Sequence, residues 1–504
     1  MSDLESEGSH ASNVFDLPRA EVRRRSLAGV FYLTSSSFAN LIIGFFASLI
    51  LARLLTPKDF GVVAIGSTAI LLASALADGG LGAGMVRRPE PPSRGELRTI
   101  NGIQLTLTLI VCVPAVAVAL VFGRTGAVTA LMISSLPISV LGAPGRITLS
   151  RDMRYDRQLG IDFGSQVTYQ LFCVVSVALG AGVWGLAAGS VVRAAVATSL
   201  TGVLSGVFGA PSLSGWRNYG GLIRFGLSFQ ANWFTWVARE QLLNIVIGVV
   251  AGVASLGVWT FANRIFQLPS IAFSSLFVVG FPAMSNLLRR GEDPAPVILR
   301  TVRRAAIAGA FVFPTFAAAC PQLIPSVFGN RWQEAADILP FICLSTLILG
   351  SIAVAANSYL SAAGRPGIVA VASASLGVVW IGITAPLLPV IGVAAVGIGN
   401  LLGALVEALI LDVATRRWAG VMPHRPLVRP LLVACIAGVS GWLLCMYGPR
   451  GLWIALASAS MTFSLVAIGL WLVCRRDLKD TVGLAFGTIR SALPGLNRAS
   501  IDNA

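Results

Sequence analysis

Apolar runs of about 20 residues, each long enough to cross a bilayer, recur between residues 28 and 474, with short polar segments between them. LIIGFFASLILA, Leu41 to Ala52, shows neither the alternation nor the length of about 10 residues that marks a barrel strand, so the spans are helices. The pattern predicts spans at 28–52, 57–84, 99–122, 126–145, 160–181, 184–208, 221–249, 255–284, 300–325, 333–360, 366–384, 388–412, 429–447 and 451–474. The expected fold is all-α and polytopic, with about fourteen transmembrane helices. Composition agrees: 55% hydrophobic and 12% charged residues, against roughly 25% charged in a soluble domain.

The net charge is +15 at pH 7. Its basic residues sit in short clusters between apolar runs, not along one stripe, which counts against a nucleic-acid partner. Of the 37 Lys and Arg, about 29 fall on alternate connecting segments and about 5 on the others, the asymmetry of the positive-inside rule. RAEVRRR, SRDMRYDR, LRRGEDPAPVILRTVRR and TRRWAGVMPHRPLVR would then be cytoplasmic, together with both termini. The cluster Arg23–Arg25 precedes a span too long for a cleaved signal peptide, which reads as a retained first helix. The seven cysteines lie in or beside apolar runs without CxxC pairs and read as small buried residues, not as disulfides or metal ligands.

Two halves are visible. VFGRTGAV at Val121 is similar to VFGNRWQE at Val327, WGLAAGS around Gly185 to IGVAAVG around Gly392, and DFGVVAIGS around Gly61 to SLGVWTFAN around Gly257. The three matches fall in order at an offset of about 200 residues, which holds six spans and so implies a parallel repeat. The expected organisation is a tail at 1–27, an N-lobe of six helices at 28–210, a C-lobe of six at 211–412, two appended helices at 413–474 and a second tail at 475–504. In LARLLTPKDFGVVA, Thr56 and Asp59 have the spacing of a capping box and Pro57 suits a first helical turn, so the polar interruption reads as a tight hairpin.

That stretch, followed by ADGGLGAGMVRR, SRDMRYDRQLGIDFGSQ, GVWGLAAGSVVRA, FANRIFQLPS, GFPAMSNL and FGNRWQEAADIL, resembles the successive blocks of Wzx-like polysaccharide flippases. These form the polysaccharide transporter branch of the multidrug/oligosaccharidyl-lipid/polysaccharide (MOP) exporter superfamily. The likeness runs from about residue 28 to 365. It implies a two-lobed helix bundle around a central, often cationic cavity, and transfer of undecaprenyl-diphosphate-linked oligosaccharide from the cytoplasmic to the outer leaflet of the bacterial inner membrane. It also implies work beside polysaccharide polymerase and export machinery. Where many relatives carry an Asn-Leu-Asp-like segment late in helix 7, this chain has AREQLLN.

Arg193, Arg239 and Arg264 fall in helices 6, 7 and 8 at similar depth. A membrane-buried arginine costs about 2.5–3.5 kcal/mol on insertion scales, so it meets a partner or a wet cavity. Guanidinium forks suit a diphosphate, while pairing of Arg264 with Glu240 is the alternative. Gln230, Trp233, Trp236, Glu240 and Asn244 share one face of helix 7, either toward sugar rings or as packing and interfacial anchors. Asn40 lies near the lobe interface of helix 1. Asp78, Glu240 and Glu407 are the acids available to a proton- or sodium-coupled cycle, or to local hydrogen bonds. No cofactor or metal is expected.

Three functions compete. A lipid-linked oligosaccharide flippase accounts for the arginines. A drug/cation antiporter of the same superfamily would want acidic cavity walls instead. A membrane-embedded polymerase or ligase would want a large outer loop or catalytic residues at the membrane edge; here those loops are short, and His10 and His424 fall on cytoplasmic segments.

Overall fold

The computed structural model describes residues 38–77, 80–87, 90, 92–207, 210–215 and 219–492; over 222–236, 271–283 and 478–492 it defines the helical backbone. Asp78 and the tail 1–27 lie outside the described residues. The described chain is helical throughout, with no strand.

The first helices are α1 (Phe38–Leu54), α2 (Pro57–Ala77), α3 (Leu81–Arg87) and α4 (Arg94–Leu120). α5 (Gly123–Ile133), α6 (Ser135–Leu141), α7 (Ala143–Arg151), α8 (Tyr155–Ala178) and α9 (Val183–Ser205) follow. Then come α10 (Gly220–Val250), α11 (Gly252–Arg289), α12 (Ala295–Phe328) and α13 (Gln333–Ala362). The chain continues through α14 (Pro366–Ile391), α15 (Ala394–Ala419), α16 (His424–Tyr447) and α17 (Leu452–Ala492).

Among the described residues ten helical stretches are long and apolar enough to cross a membrane, one of them formed by α5 and α6 together (Gly123–Leu141). The four remaining expected spans fall on α1, α8, α10 and α11. α1 is a shorter apolar helix over its described residues, and α8 is diluted by Asp162, Gln166 and Gln170. The span expected at 126–145 is interrupted at Ser134 and Gly142, giving α5, α6 and α7. Pro137 and Pro144 follow these breaks closely, and each lacks the N–H that would carry the helix across. The last span runs past Arg475 as α17, with non-helical angles at Cys474, so residues 475–492 are helical.

Local chemistry explains the helix starts. At α2, the Asp59 N–H donates to Thr56 Oγ1 at 3.3 Å and the Thr56 N–H donates to Asp59 Oδ2 at 3.0 Å, the reciprocal box expected there. α4 has a second, from Ser93 and Glu96, which carries its start back to Arg94 from the expected residue 99. The α4–α5 and α12–α13 hairpins turn at Gly123 and Gly329, with φ of +59° and +101°. A side chain is strained in that region, and these glycines are equivalent in the two VFG repeats.

The chain divides into two compact units, one through Gly257 and one from Val258. α10 packs on α2 and α3 and therefore groups with the first unit by contact. Within that unit, the start of α11 crosses α2 reciprocally. A Cβ added at Gly61 would lie 1.8 Å from the Val253 carbonyl oxygen, and one at Gly257 would lie 1.8 Å from that of Pro57. The repeat that pairs Gly61 with Gly257 also pairs Pro57 with Val253, so each contact is the image of the other. This close approach of two backbones is what small residues permit in membrane helices. In the second unit, Phe261 stacks on buried Trp332 at 4.0 Å and meets Phe328 edge-on at 5.0 Å, so FANRIF and FGNRW build one aromatic cluster.

Candidate functional site

Arg193 stands near the middle of α9, with α8 as its neighbour: its guanidinium lies 5.9 Å from the Tyr169 ring centre. Its side chain is exposed. Arg239 is half-buried on α10 and Arg264 half-buried on α11. At the α-helical rise each lies about 15 to 18 Å from the nearer end of its own helix. α9 and α10 share α2 as a packing neighbour.

Glu240 is exposed on α10, and Arg264 belongs to the other unit. Asn244 donates to Thr68 Oγ1 at 3.3 Å and to Gln241 Oε1 at 3.2 Å, so it ties α10 to α2. Gln230, Trp233 and Trp236 lie on the helical backbone of α10, and their side chains fall outside the described residues, as does Asp78. Asn40 is half-buried on α1. Glu407 is buried midway along α15, at 6% exposure.

The structure adds polar residues that charge alone does not reveal. Asn101, Gln104 and Thr108 follow one face of α4 at spacings of three and four, and all are buried. Neither the nitrogen nor the oxygen of the Asn101 amide finds a hydrogen-bond partner among the described residues, and the Gln170 amide on α8 is in the same position. Such groups cost about 1–3 kcal/mol each when left unsatisfied, so they mark places for water or polar cargo. The signal was present as NGIQLTLT within an apolar run.

Among the described residues of the second unit, two cavities stand out. One, of about 580 Å³ between α12, α13 and α16, is almost wholly apolar, with Gln333 and Asp337 at its wall, and suits hydrocarbon. The other, of about 530 Å³, lies where α12, α16 and α17 approach and is lined by Arg303, Arg425 and Arg429.

The geometry is that of a multi-pass helical membrane protein with arginines set deep in apolar helices, and solved transporter structures share its fold. "Lipid II flippase MurJ, inward closed conformation" matches with a TM-score of 0.67 at 11% identity, over 88% of this chain and 99% of that one. "Inward-facing conformation of a multidrug resistance MATE family transporter of the MOP superfamily" matches at 0.57 and 17% identity, over 76% and 94%. At these identities the likeness is one of fold.

The family follows from sequence. The profile of the polysaccharide biosynthesis protein family matches residues 50–337, more than half of the chain, and the chain belongs to that family. Succinoglycan biosynthesis transport protein ExoT of Rhizobium meliloti (strain 1021) is 26% identical over 312 residues, covering 60% of this chain and 62% of that protein. Lipopolysaccharide biosynthesis protein WzxC of Escherichia coli (strain K12) is 23% identical over 345 residues, covering 65% and 68%. The chain thus spans about two thirds of the length of these relatives. The Wzx-like resemblance of the sequence blocks holds.

Proposed function

We propose that the protein is a flippase that moves a polyprenyl-diphosphate-linked oligosaccharide from the cytoplasmic to the outer leaflet by alternating access, for polysaccharide biosynthesis and export. The observation that carries this reading is Arg193, an exposed guanidinium at the centre of a membrane span. Exposure there means lipid or a wet cavity, and lipid is the costly choice. Arg239 and Arg264, each deep in its own helix, would offer further forks suited to a diphosphate. Family membership and relatives named for succinoglycan and lipopolysaccharide biosynthesis support the cargo class.

In this reading the protein lies in the bacterial inner membrane with both termini cytoplasmic, the arrangement favoured by its basic segments. It is no enzyme and needs no cofactor; a proton or sodium gradient would act through Asp78, Glu240 or Glu407. Membrane lipids surround it, and polymerase and export machinery receive its product.

The test is restoration of surface polysaccharide in a host lacking its own exporter. Single Arg193→Ala, Arg239→Ala and Arg264→Ala variants should lose export while wild-type amounts of protein reach the membrane, and lysine should rescue partly because it keeps charge without the fork. Full export by all three alanine variants overturns the arginine role.

The MATE likeness makes a drug/cation antiporter the second reading. Cationic drug efflux without polysaccharide export would establish it. Polysaccharide polymerisation or ligation by the purified protein would establish the enzyme reading instead.

A further inference from the structure

The cavity of about 530 Å³ in the second unit brings together residues from three separate stretches of sequence: Arg303 of α12, Arg425 and Arg429 of α16, and Asp477 beyond the break in α17. Met422 and Pro426 add apolar wall beside them. Arg425 and Arg429 are four residues apart and so share a face of α16 near its first turns.

The charges of the described lining residues do not balance. Arg303 Nη1 meets Asp477 Oδ1 at 2.7 Å, and both side chains are about one third to two fifths exposed. Arg425 and Arg429 are exposed and have no carboxylate at ion-pair distance among the described residues. Among the described residues, one carboxylate therefore answers three guanidinium groups within one cavity. The helix start itself is already occupied, because Asp412 accepts from the His424 N–H at 2.9 Å and contacts His424 Nδ1 at 2.8 Å. The vacant capacity for an anion thus belongs to the arginine side chains.

Position narrows the ligand. The candidate span within α17 ends at Arg475 and that of α16 begins at His424, so the cavity sits at span ends, where lipid headgroups lie. Basic pockets between transmembrane helices at that level hold anionic headgroups, and apolar wall beside the arginines accommodates the first methylenes of an acyl chain. We propose that this pocket binds the phosphate of an anionic lipid, with Arg425 and Arg429 as its principal contacts and Arg303 shared between that phosphate and Asp477. The pocket is separate from Arg193, Arg239 and Arg264, and its occupancy does not depend on the export reading.

The test is lipid binding by the purified full-length protein, followed by native mass spectrometry with dioleoylphosphatidylglycerol and dioleoylphosphatidylcholine. Phosphatidylglycerol should bind preferentially. The double change Arg425→Gln with Arg429→Gln should weaken it about thirtyfold, as expected for two basic residues beside an anionic headgroup. Arg425→Lys with Arg429→Lys should retain most of the binding, which separates loss of the site from loss of the fold. Asp477→Asn should strengthen binding by releasing Arg303. Arg416→Gln with Arg417→Gln, on exposed arginines of α15 outside the pocket, should leave binding unchanged. The proposal is overturned if phosphatidylglycerol binds no better than phosphatidylcholine, or if the α15 double variant loses as much as the pocket variant. Displacement of the lipid by equimolar inorganic phosphate would assign the pocket to a free anion and overturn the lipid assignment.

Discussion

In the first unit Asn101, Gln104, Gln170 and Gln241 are buried as whole side chains; among the described residues of the second, the polar side chains buried whole are serines, threonines, Glu407 and Asp412, and Asn357 buries its amide oxygen from a half-buried side chain. The hydroxyls of the second unit largely satisfy themselves. Ser351 donates to the Leu347 carbonyl at 2.6 Å, Ser358 to Val354 at 2.8 Å and Thr415 to Leu411 at 2.7 Å, each one turn back in its own helix. Such a group needs no neighbour, so helices carrying it can close into an apolar core such as that of Ile298, Val302, Ile352 and Leu411. A side-chain amide has two donors and an acceptor that one local carbonyl cannot satisfy. The two units therefore share a repeat while the first keeps a polar interior.

They also differ in how tightly backbones meet. The expected effect is largest at Gly257, where a Cβ would lie 1.8 Å from a carbonyl oxygen that no rotamer change can move. Gly257→Ala should cost at least the upper end of the overpacking range of about 1–3 kcal/mol and strongly reduce folded protein in the membrane. Gly397 in the second unit would place its Cβ 2.8 Å from the Ile338 oxygen, and Gly397→Ala should be milder. Equal melting temperatures for the two variants, measured by size-exclusion after heating, would contradict the reciprocal α2–α11 contact.

Next in size is Asn101→Leu, which removes both unpaired amide groups at similar volume. Stability should rise by about 1–3 kcal/mol, because a buried unsatisfied group is lost. Polysaccharide export should fall if that polarity serves cargo or its water. Lower stability in Asn101→Leu would mean that the amide is satisfied in the membrane, and would erase the contrast between the units.

Helix positions, the α2 cap and the VFG turns were legible because each depends on neighbours a few residues away. The breaks that produce α5, α6 and α7 were legible only through Pro137, Gly142 and Pro144, and an apolar run conceals them. Arg193, Arg239 and Arg264 could be assigned a depth by counting residues, whereas their facing depends on rotation about each helix axis, which packing decides. Asn101 and Gln104 are uncharged at the polar end of a strongly apolar span, so neither the charge pattern nor the apolar run marked them. The pocket of Arg303, Arg425 and Arg429 joins residues more than a hundred positions apart, beyond the reach of local pattern.

A smaller effect is expected at the α2 cap. Thr56→Ala removes the acceptor for the Asp59 N–H and should lower stability by about 0.5–2 kcal/mol, with export per folded molecule unchanged. Reduced export at normal abundance would show that this hairpin takes part in transport.

The smallest effect is expected at Ser358, and it completes the contrast with Asn101. Its hydroxyl is buried at 1% exposure and donates to the Val354 carbonyl at 2.8 Å, within α13. Alanine removes the donor, yet Val354 keeps its place as an acceptor for the helix backbone, so no polar group is stranded. The lost hydrogen bond is worth about 0.5–1.5 kcal/mol net, and the higher helix propensity of alanine offsets roughly half a kcal/mol of it. Ser358→Ala should therefore shift stability by less than about 1 kcal/mol and leave export intact. A loss as large as that of Gly257→Ala would mean that this hydroxyl bridges helices. The second unit would then hold a further cross-helix polar contact beside that of Ser458 with the Gly441 carbonyl.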